Sequence, residues 1–364
     1  LVSNTSWYLY NFKNKLIDDL IKNNYELSIV APKDKYSKYL YEKNITYKNW
    51  ELNRNSLNPF SALTSILDLF IIYKKITPDI VHHFTVKSCI YGSIAAKLCG
   101  INCVINAFTG MAHFNFMREK QILPIKWFLT ELIRLIILKG KVINIFQNKD
   151  DFYKFKKLTT CKFNKSIIIP GSGVDTEFFK LNKPRKLFKR PIQILFPARL
   201  IKEKGVKELI NACNLLWQEG YFFQLNLAGF IDHGNNSCLN ETDLKTIKQN
   251  NNILVLGHVD NMKKLYSKCD IVVLPSWREG LSKSIIEAGA MECAIVTTDV
   301  PGCNDVVQHG KNGLLVPAKN VAALKLAIQF LLDNQKISHK LGQNARKKVI
   351  SEFTISKINN LKFR

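Results

Sequence analysis

The chain has 364 residues, a length that favours two domains of roughly 150 residues each over one. Its 46% hydrophobic and 23% charged content excludes a chain that is disordered throughout. The 53 Lys and Arg against 29 Asp and Glu leave a net charge of +24, and the excess is no detachable tail: residues 1–180 hold 26 basic and 14 acidic residues, the remainder 27 and 15. Such a field suits nucleic acid, an anionic membrane surface or phosphorylated substrates, and it is equally what many solvated lysines produce.

In chain order, apolar runs of strand length alternate with amphipathic stretches of helix length. The chain opens abruptly at Leu1 in "LVSNTSWYLYNF", which reads as the end of a first strand whose beginning lies before it. "ELSIVAP" is followed by the periodic "KYSKYLYEKN", and "DIVHHF" by "VKSCIYGSIAAKLCG", which stops at a glycine; "NCVINAF" and "KVINIFQ" come next. Between "KVINIFQ" and residue 191, "KSIIIPGSGVDTEFFKLNKPRKLFKRP" is rich in Gly, Pro and Lys and lacks helical period, so it reads as a linker. The pattern then restarts with "PIQILFPARL", "FFQLNLAGF", "NILVLGHV", "DIVVLPS" and "CAIVTTDV", separated by helical segments such as "GVKELINACNLLWQEG". This alternation predicts an α/β chain of two Rossmann-like, doubly wound parallel sheets joined near 170–190, with ligands beyond the carboxyl ends of the strands and a cleft between the domains.

The nine cysteines are odd in number, form no C-x-x-C pair and sit largely in apolar runs, as buried thiols of a reducing compartment do. The longest uncharged stretch, Leu98 to Met117, is interrupted by Gly100, Asn102, Asn106, Gly110 and His113, so it reads as a strand and loop and not as a membrane span. The opening residues are not expected to form a leader, and the seven histidines do not cluster in sequence with the cysteines as zinc ligands would.

The stretch richest in chemistry is "PSWREGLSKSIIEAGA", residues 275–290. A buried strand ends at its start, "WREG" forms the turn, and "LSKSIIEAGAM" has helical spacing. Gly280, Leu281 and Ser282 are expected to offer free backbone N–H groups at a helix N-terminus, which favours phosphate. Glu279 in the turn and Glu287 in the helix lie on the order of 10 Å apart along the axis, the span from hexose to ribose in a sugar diphosphonucleoside. Two glutamates alone are as well explained by a helix-end charge and an ordinary helical residue. "PARLIKEKG", however, puts Arg199 and Lys204 at the carboxyl end of the first strand of the second half, where a diphosphate would arrive. The chain has no Asp-x-Asp pair, so metal-assisted departure lacks evident ligands and no cofactor is expected.

Taken together and in order, "PGSGVDTEFF", "PARLIKEKGV", "VLGHVDNMKKLYSKCDIVVLPS", "EGLSKSIIEAGAMECAIVTTDVPGCNDVV" and "GKNGLLVP" resemble the retaining nucleotide-sugar glycosyltransferases of family 4, which have the GT-B fold. In the first half "VAPKDKYSKYL", "LNRNSLNPFSAL", "PDIVHHFTVKSCIYGSIAAKLCG" and "INAFTGM" resemble bacterial members that extend polyprenyl-diphosphate-linked glycans, N-acetylgalactosaminyltransferases among them. The resemblance implies an acceptor domain over 1–180, a nucleotide-sugar domain over 181–345 and a closing helix, 346–364, that packs back toward the first domain. It implies that Glu279 meets the donor hexose, Glu287 the ribose, Arg199 and Lys204 the diphosphate, and the backbone near His258 and Val259 the base. Where many members carry a His-Gly pair this chain has Thr109-Gly110, with His113 three residues further on. "SNTSWYLYNF" replaces the glycine-rich first loop of many relatives, leaving Trp7, Asn11 and Lys13 as acceptor-side candidates.

Smaller features admit plainer readings. Asn58-Pro59 is a helix start, Arg54 before it is a candidate for an acceptor phosphate, and Lys87 at a helix start opposes the dipole there, as an anion contact would require. At least one of His82 and His83 is expected to be structural. "IKWFLTELIRLIILKGK" mixes aromatics and cations and is suited to covering the first sheet, to a membrane surface, or to both. The expected activity is transfer of a hexose or N-acetylhexosamine from a nucleoside diphosphate donor to a lipid-linked glycan, on the cytoplasmic face of the inner membrane. A nucleotide-sugar 2-epimerase on the same fold and a non-catalytic membrane adaptor remain as alternatives. A nucleic-acid partner accounts for the charge and leaves the ordered motifs unexplained.

Overall fold

A computed structural model of the chain describes residues 1–43, 45–53, 56, 58–109, 141–159, 166–185, 191–231 and 237–362. Arg54, Gly110, His113 and the segment after Pro124 lie outside the described residues. The chain divides into two compact units, Leu1–Ser172 and Gly173–Arg364, so the boundary falls within the Gly- and Pro-rich stretch.

The first unit is a seven-stranded sheet of β1 (Val2–Ser3), β2 (Ser28–Ala31), β3 (Thr46–Asn49), β4 (Ile80–Phe84), β5 (Cys103–Phe108), β6 (Lys141–Phe146) and β7 (Ser166–Ile168), in the order β3-β2-β1-β4-β5-β6-β7. All pairings are parallel. The inner strands are covered on both faces, which is why they read as apolar runs, whereas the edge strands β3 and β7 are largely exposed. Alternation sorts them: Val2, Val30, Val81 and Val104 pack with Leu69, Ile72 and Tyr73 of helix Pro59–Ile76, while Ile29, Ala31, Phe84 and Ala107 pack with Leu9, Leu16 and Ile17 of helix Ser6–Lys22. Strand β7 corrects the reading of its segment as linker throughout: three residues, with Ile167 and Ile168 exposed, pair only with β6 at the sheet edge.

The second unit is a six-stranded parallel sheet of β8 (Ile192–Phe196), β9 (Phe223–Ala228), β10 (Ile253–Gly257), β11 (Ile271–Leu274), β12 (Ala294–Thr298) and β13 (Leu314–Val316), in the order β10-β9-β8-β11-β12-β13. Every residue of β11 and β12 is buried. In each sheet the strand order reverses between its first and fourth strands: β1 and β4, then β8 and β11. Helices leave those neighbours toward opposite faces, which opens a crevice at their carboxyl ends. The closing helices, Gln335–Glu352 and Ile355–Lys362, belong to the second unit, where Val174 bridges Thr354.

Local signals fix the helix ends. The Asn58 side chain accepts from Phe60 N–H with Pro59 in the first turn, as the sequence leads one to expect. His83 is the structural histidine of the adjacent pair. It is fully buried on β4, with Nδ1 2.8 Å from Asn106 Oδ1 and Nε2 2.9 Å from the Tyr73 hydroxyl. The Asn106 amide nitrogen donates to Ser93 Oγ at 3.0 Å, so its oxygen faces His83, which carries its proton on Nδ1 and accepts from Tyr73. Gly92 leaves room for the ring, since a Cβ there would lie 2.4 Å from Nε2.

Burial lowers the His83 pKa to about 4. The unfolded chain therefore binds a proton near pH 6.5 that the folded chain refuses until about pH 4, so stability is lost as pH falls through that window. Urea melts at pH 6.5 and pH 4 are expected to differ by about 3 kcal/mol more in the wild type than in His83→Gln; equal losses in both proteins would contradict this.

Candidate active site

The loops that leave β8 and β11 meet at the reversal of the second sheet. Lys204 Nζ lies 2.5 Å from Glu279 Oε1, and the two side chains are 20% and 12% exposed. Residues 75 apart in sequence are thus joined as a largely desolvated ion pair. An exposed pair contributes ~0–1 kcal/mol, whereas removing one partner of a buried pair strands a charge at a cost of about 3–5 kcal/mol; this half-buried pair falls between.

The neighbouring backbone explains why the pair forms. Lys202–Lys204 is a single 3₁₀ turn closed by Gly205 at φ 73°, and a Cβ at Gly205 would lie 2.0 Å from the Pro275 carbonyl oxygen. Only glycine lets the two loops touch there. Trp277 N–H then donates to Glu203 O at 2.8 Å, the buried Ser276 Oγ donates to the same carbonyl at 3.1 Å, and Trp277 Nε1 donates to Glu208 Oε1 at 2.9 Å. Lys319 Nζ stands 4.0 Å over the Trp277 ring. From the other side Glu279 N–H donates to Pro301 O at 3.2 Å, and Gly302 at φ 82° packs so closely that a Cβ would come within 2.6 Å of the Glu279 carbonyl oxygen. Three loops therefore hold one carboxylate. Beneath it, burial pushes the Cys303 thiol up to about 12; Glu279 adds to the shift and Lys204 offsets part of it. That thiol is protonated and inert at neutral pH.

Glu287 lies on helix Lys283–Ala290 and is buried, which raises its pKa; Lys283, 3.5 Å away, pulls the other way. Its Oε2 is 3.4 Å from the hydroxyl of Tyr266, whose one proton is shared between that oxygen and Ser284 O at 3.1 Å. Tyr266, a lone aromatic in "KKLYSKC", is a neighbour of Glu287 that the sequence did not single out.

The expectation of free amides at 280–282 is corrected in part. The helix starts at Lys283, two residues after Leu281, and Ser282 N–H donates to Gly302 O at 3.1 Å. Contacts with Pro301 and Gly302 hold 279–282 as a loop, and Leu281 packs on the core. The amides that lack an intrahelical acceptor are those of the first turn, beginning at Lys283.

Arg199 is half-buried in the same loop as Lys204, five residues before it. His258 and Val259 follow β10, with His258 Nε2 3.1 Å from Asp260 Oδ1 and Val259 packed on the core. Strands β10, β9, β8 and β11 are consecutive neighbours, so these groups share one carboxyl edge, and the three gaps of about 4.8 Å put its ends roughly 14 Å apart.

In the first unit, Lys13 and Thr109 both approach Tyr8 beyond the carboxyl ends of β1 and β5. Lys13 is buried, with Nζ 4.9 Å from the Phe84 ring centroid, 5.8 Å from that of Tyr8 and 3.3 Å from Ser172 Oγ. Burial raises the Tyr8 phenol, and the Thr109 hydroxyl offsets part of that. Lys87 donates to the carbonyls of Ser56 (2.6 Å) and Asn53 (3.1 Å), and desolvation lowers its pKa. It thus braces the segment before helix Pro59–Ile76. Trp7 and Asn11 lie in the first turns of helix Ser6–Lys22, where Trp7 N–H donates to Asp34 Oδ2 at 3.0 Å. Among the described residues no group of three or more His, Cys, Asp or Glu could hold a metal ion.

Comparison with known proteins gives the same division. The family model described as Glycosyl transferase 4-like matches residues 1–148, and that described as Glycosyl transferases group 1 matches 177–348. The capsular polysaccharide biosynthesis glycosyltransferase CapM of Staphylococcus aureus is 27% identical over 93% of this chain and 88% of its own. The N,N'-diacetylbacillosaminyl-diphospho-undecaprenol alpha-1,3-N-acetylgalactosaminyltransferase of Campylobacter jejuni is 28% identical over 93% and 90%. Anabaena HepE, solved with UDP and glucose, shares the fold with a TM-score of 0.78 at 17% identity over 100% of this chain and 97% of its own. The chain belongs to the GT-B glycosyltransferases, its first half of the family 4-like type and its second of group 1.

Proposed function

We propose that this glycosyltransferase moves a hexose or N-acetylhexosamine, with retention, from a UDP-sugar to a polyprenyl-diphosphate-linked glycan. The setting is bacterial surface polysaccharide or protein-glycan synthesis, at the cytoplasmic face of the inner membrane. The observation that carries the reading is the Lys204–Glu279 pair at the strand-order reversal of the second sheet. The names of the S. aureus and C. jejuni relatives support the polysaccharide setting and the lipid-linked acceptor, and the UDP in the Anabaena structure supports the donor base.

In this reading the nucleotide lies along the carboxyl edge of the second sheet. The base meets the backbone at His258 and Val259, and the ribose hydroxyls donate to Glu287, which Tyr266 and Lys283 hold in place. The diphosphate is received by Arg199, Lys204 and the amides of the first helical turn, beginning at Lys283. Glu279 accepts from the hexose. The bond between C1 and the diphosphate oxygen breaks as charge develops on that oxygen, and fixed cations stabilise this charge with no reorganisation. The acceptor hydroxyl attacks C1 on the same face, and its proton passes to the departing diphosphate. No metal is required to neutralise the leaving group. Lys13 and Lys87, with Arg54 and His113, serve the acceptor side, and Thr109 stands where many relatives carry the histidine that approaches the donor sugar.

A panel of UDP-sugars, incubated with lipid-linked acceptor and read by mass spectrometry, should give one extended product; donor alone should give no epimer. Lys204→Ala and Glu279→Gln are expected to lower turnover by about 10²- to 10³-fold with cooperative melting retained. Gly302→Ala, whose Cβ would displace Glu279, is expected to lower it by about 10- to 100-fold. Normal turnover in Lys204→Ala overturns the diphosphate assignment, and an epimer from donor alone overturns the transfer.

A further inference from the structure

Helix Pro59–Ile76 is apolar on both sides, yet only one side is covered. Ser65, Leu69, Ile72 and Tyr73 are buried against the first sheet. On the opposite side Phe60 is 76% exposed, Leu63 54%, Leu67 48% and Ile71 50%. At about 100° per residue these four fall within an arc of roughly 80° and form a ridge about 16 Å long. Lys74 falls within the same arc in the last turn, and Lys75 flanks it by roughly 40°; both are exposed. The helix's one acidic residue, Asp68, is turned away and accepts from Glu51 N–H at 3.0 Å. A helix apolar all round is normally buried, and an apolar ridge ending in cations matches the boundary between acyl chains and anionic headgroups.

We propose that this face docks on an anionic bilayer, with Phe60, Leu63, Leu67 and Ile71 entering the interface and Lys74 and Lys75 meeting lipid phosphates. The inference rests on the lipid-linked acceptor of the proposed function and adds the surface that would bring the first unit to it. Charge selects the bilayer over a second copy of the chain: at +24 each, two copies repel, while an anionic leaflet attracts. The helix lies on the membrane and does not cross it, because no helix among the described residues is long and apolar enough to span.

The test is co-sedimentation with vesicles of phosphatidylcholine containing 30% phosphatidylglycerol, and with phosphatidylcholine alone. The wild type should bind the anionic vesicles more tightly. Phe60→Ser/Leu67→Ser should weaken binding by about tenfold or more, and Lys74→Glu/Lys75→Glu should remove the preference for phosphatidylglycerol. Both variants alter only exposed side chains and should keep wild-type turnover on a water-soluble, short-chain acceptor. That readout separates the two ideas: if soluble turnover is absent while vesicle binding changes as expected, docking stands and glycosyl transfer fails. Equal vesicle binding by wild type and Phe60→Ser/Leu67→Ser overturns the proposal. So does a wild-type dimer in light scattering that the same substitutions make monomeric.

Discussion

A lysine and a glutamate held together across the strand-order reversal of the second sheet organise the site on which the rest depends. The sheet sets the place: β8 and β11 are neighbours whose helices depart to opposite faces, so their loops face each other. The loops set the distance, because Gly205 against Pro275 and Gly302 against Glu279 allow approaches that any side chain would block. What results is a carboxylate with its countercharge beside it and little water around either. Such a pair costs desolvation to assemble and stabilises the fold weakly. In the proposed reading its value lies in preorganisation, with the cation fixed where an anionic leaving group would arrive and the carboxylate where a sugar hydroxyl would.

The two units use their buried polar groups differently. The first closes a neutral network of Tyr73, His83, Asn106 and Ser93 inside the sheet, and burial keeps that histidine uncharged. The second keeps charge at the sheet's carboxyl edge, where Lys204, Glu279, Lys283 and Glu287 form pairs on two neighbouring loops and a helix. Neutral groups can be sealed in a core at modest cost, whereas charges persist only where a partner or a ligand meets them. Buried Lys13, resting on the Phe84 ring and Ser172 Oγ, is the first unit's nearest equivalent.

Much of this was legible in the residues. The long apolar runs that became β2, β4 to β6 and β8 to β12 declared themselves, because strands covered on both faces have no polar alternation to confuse them. Short edge strands such as β7 and β13 did not: three residues with one neighbour carry too little pattern. The identities of Lys204, Glu279 and Glu287 were readable, but the contact between the first two was not, because it is set by glycines that appear in sequence only as turn signals. The helix start moved from Leu281 to Lys283 because Gly302 O captures Ser282 N–H, a long-range contact that helical periodicity does not contain. Tyr266 carried no signal, since its hydroxyl has a task only once the fold has carried Glu287 to it.

The most direct measurement is a crystal structure of the protein grown with UDP. The account predicts diphosphate density within hydrogen-bonding distance of Lys204 Nζ and Arg199, with ribose hydroxyls on Glu287. UDP bound elsewhere, with Lys204 still closed on Glu279 and the crevice between β8 and β11 filled by protein, would contradict it.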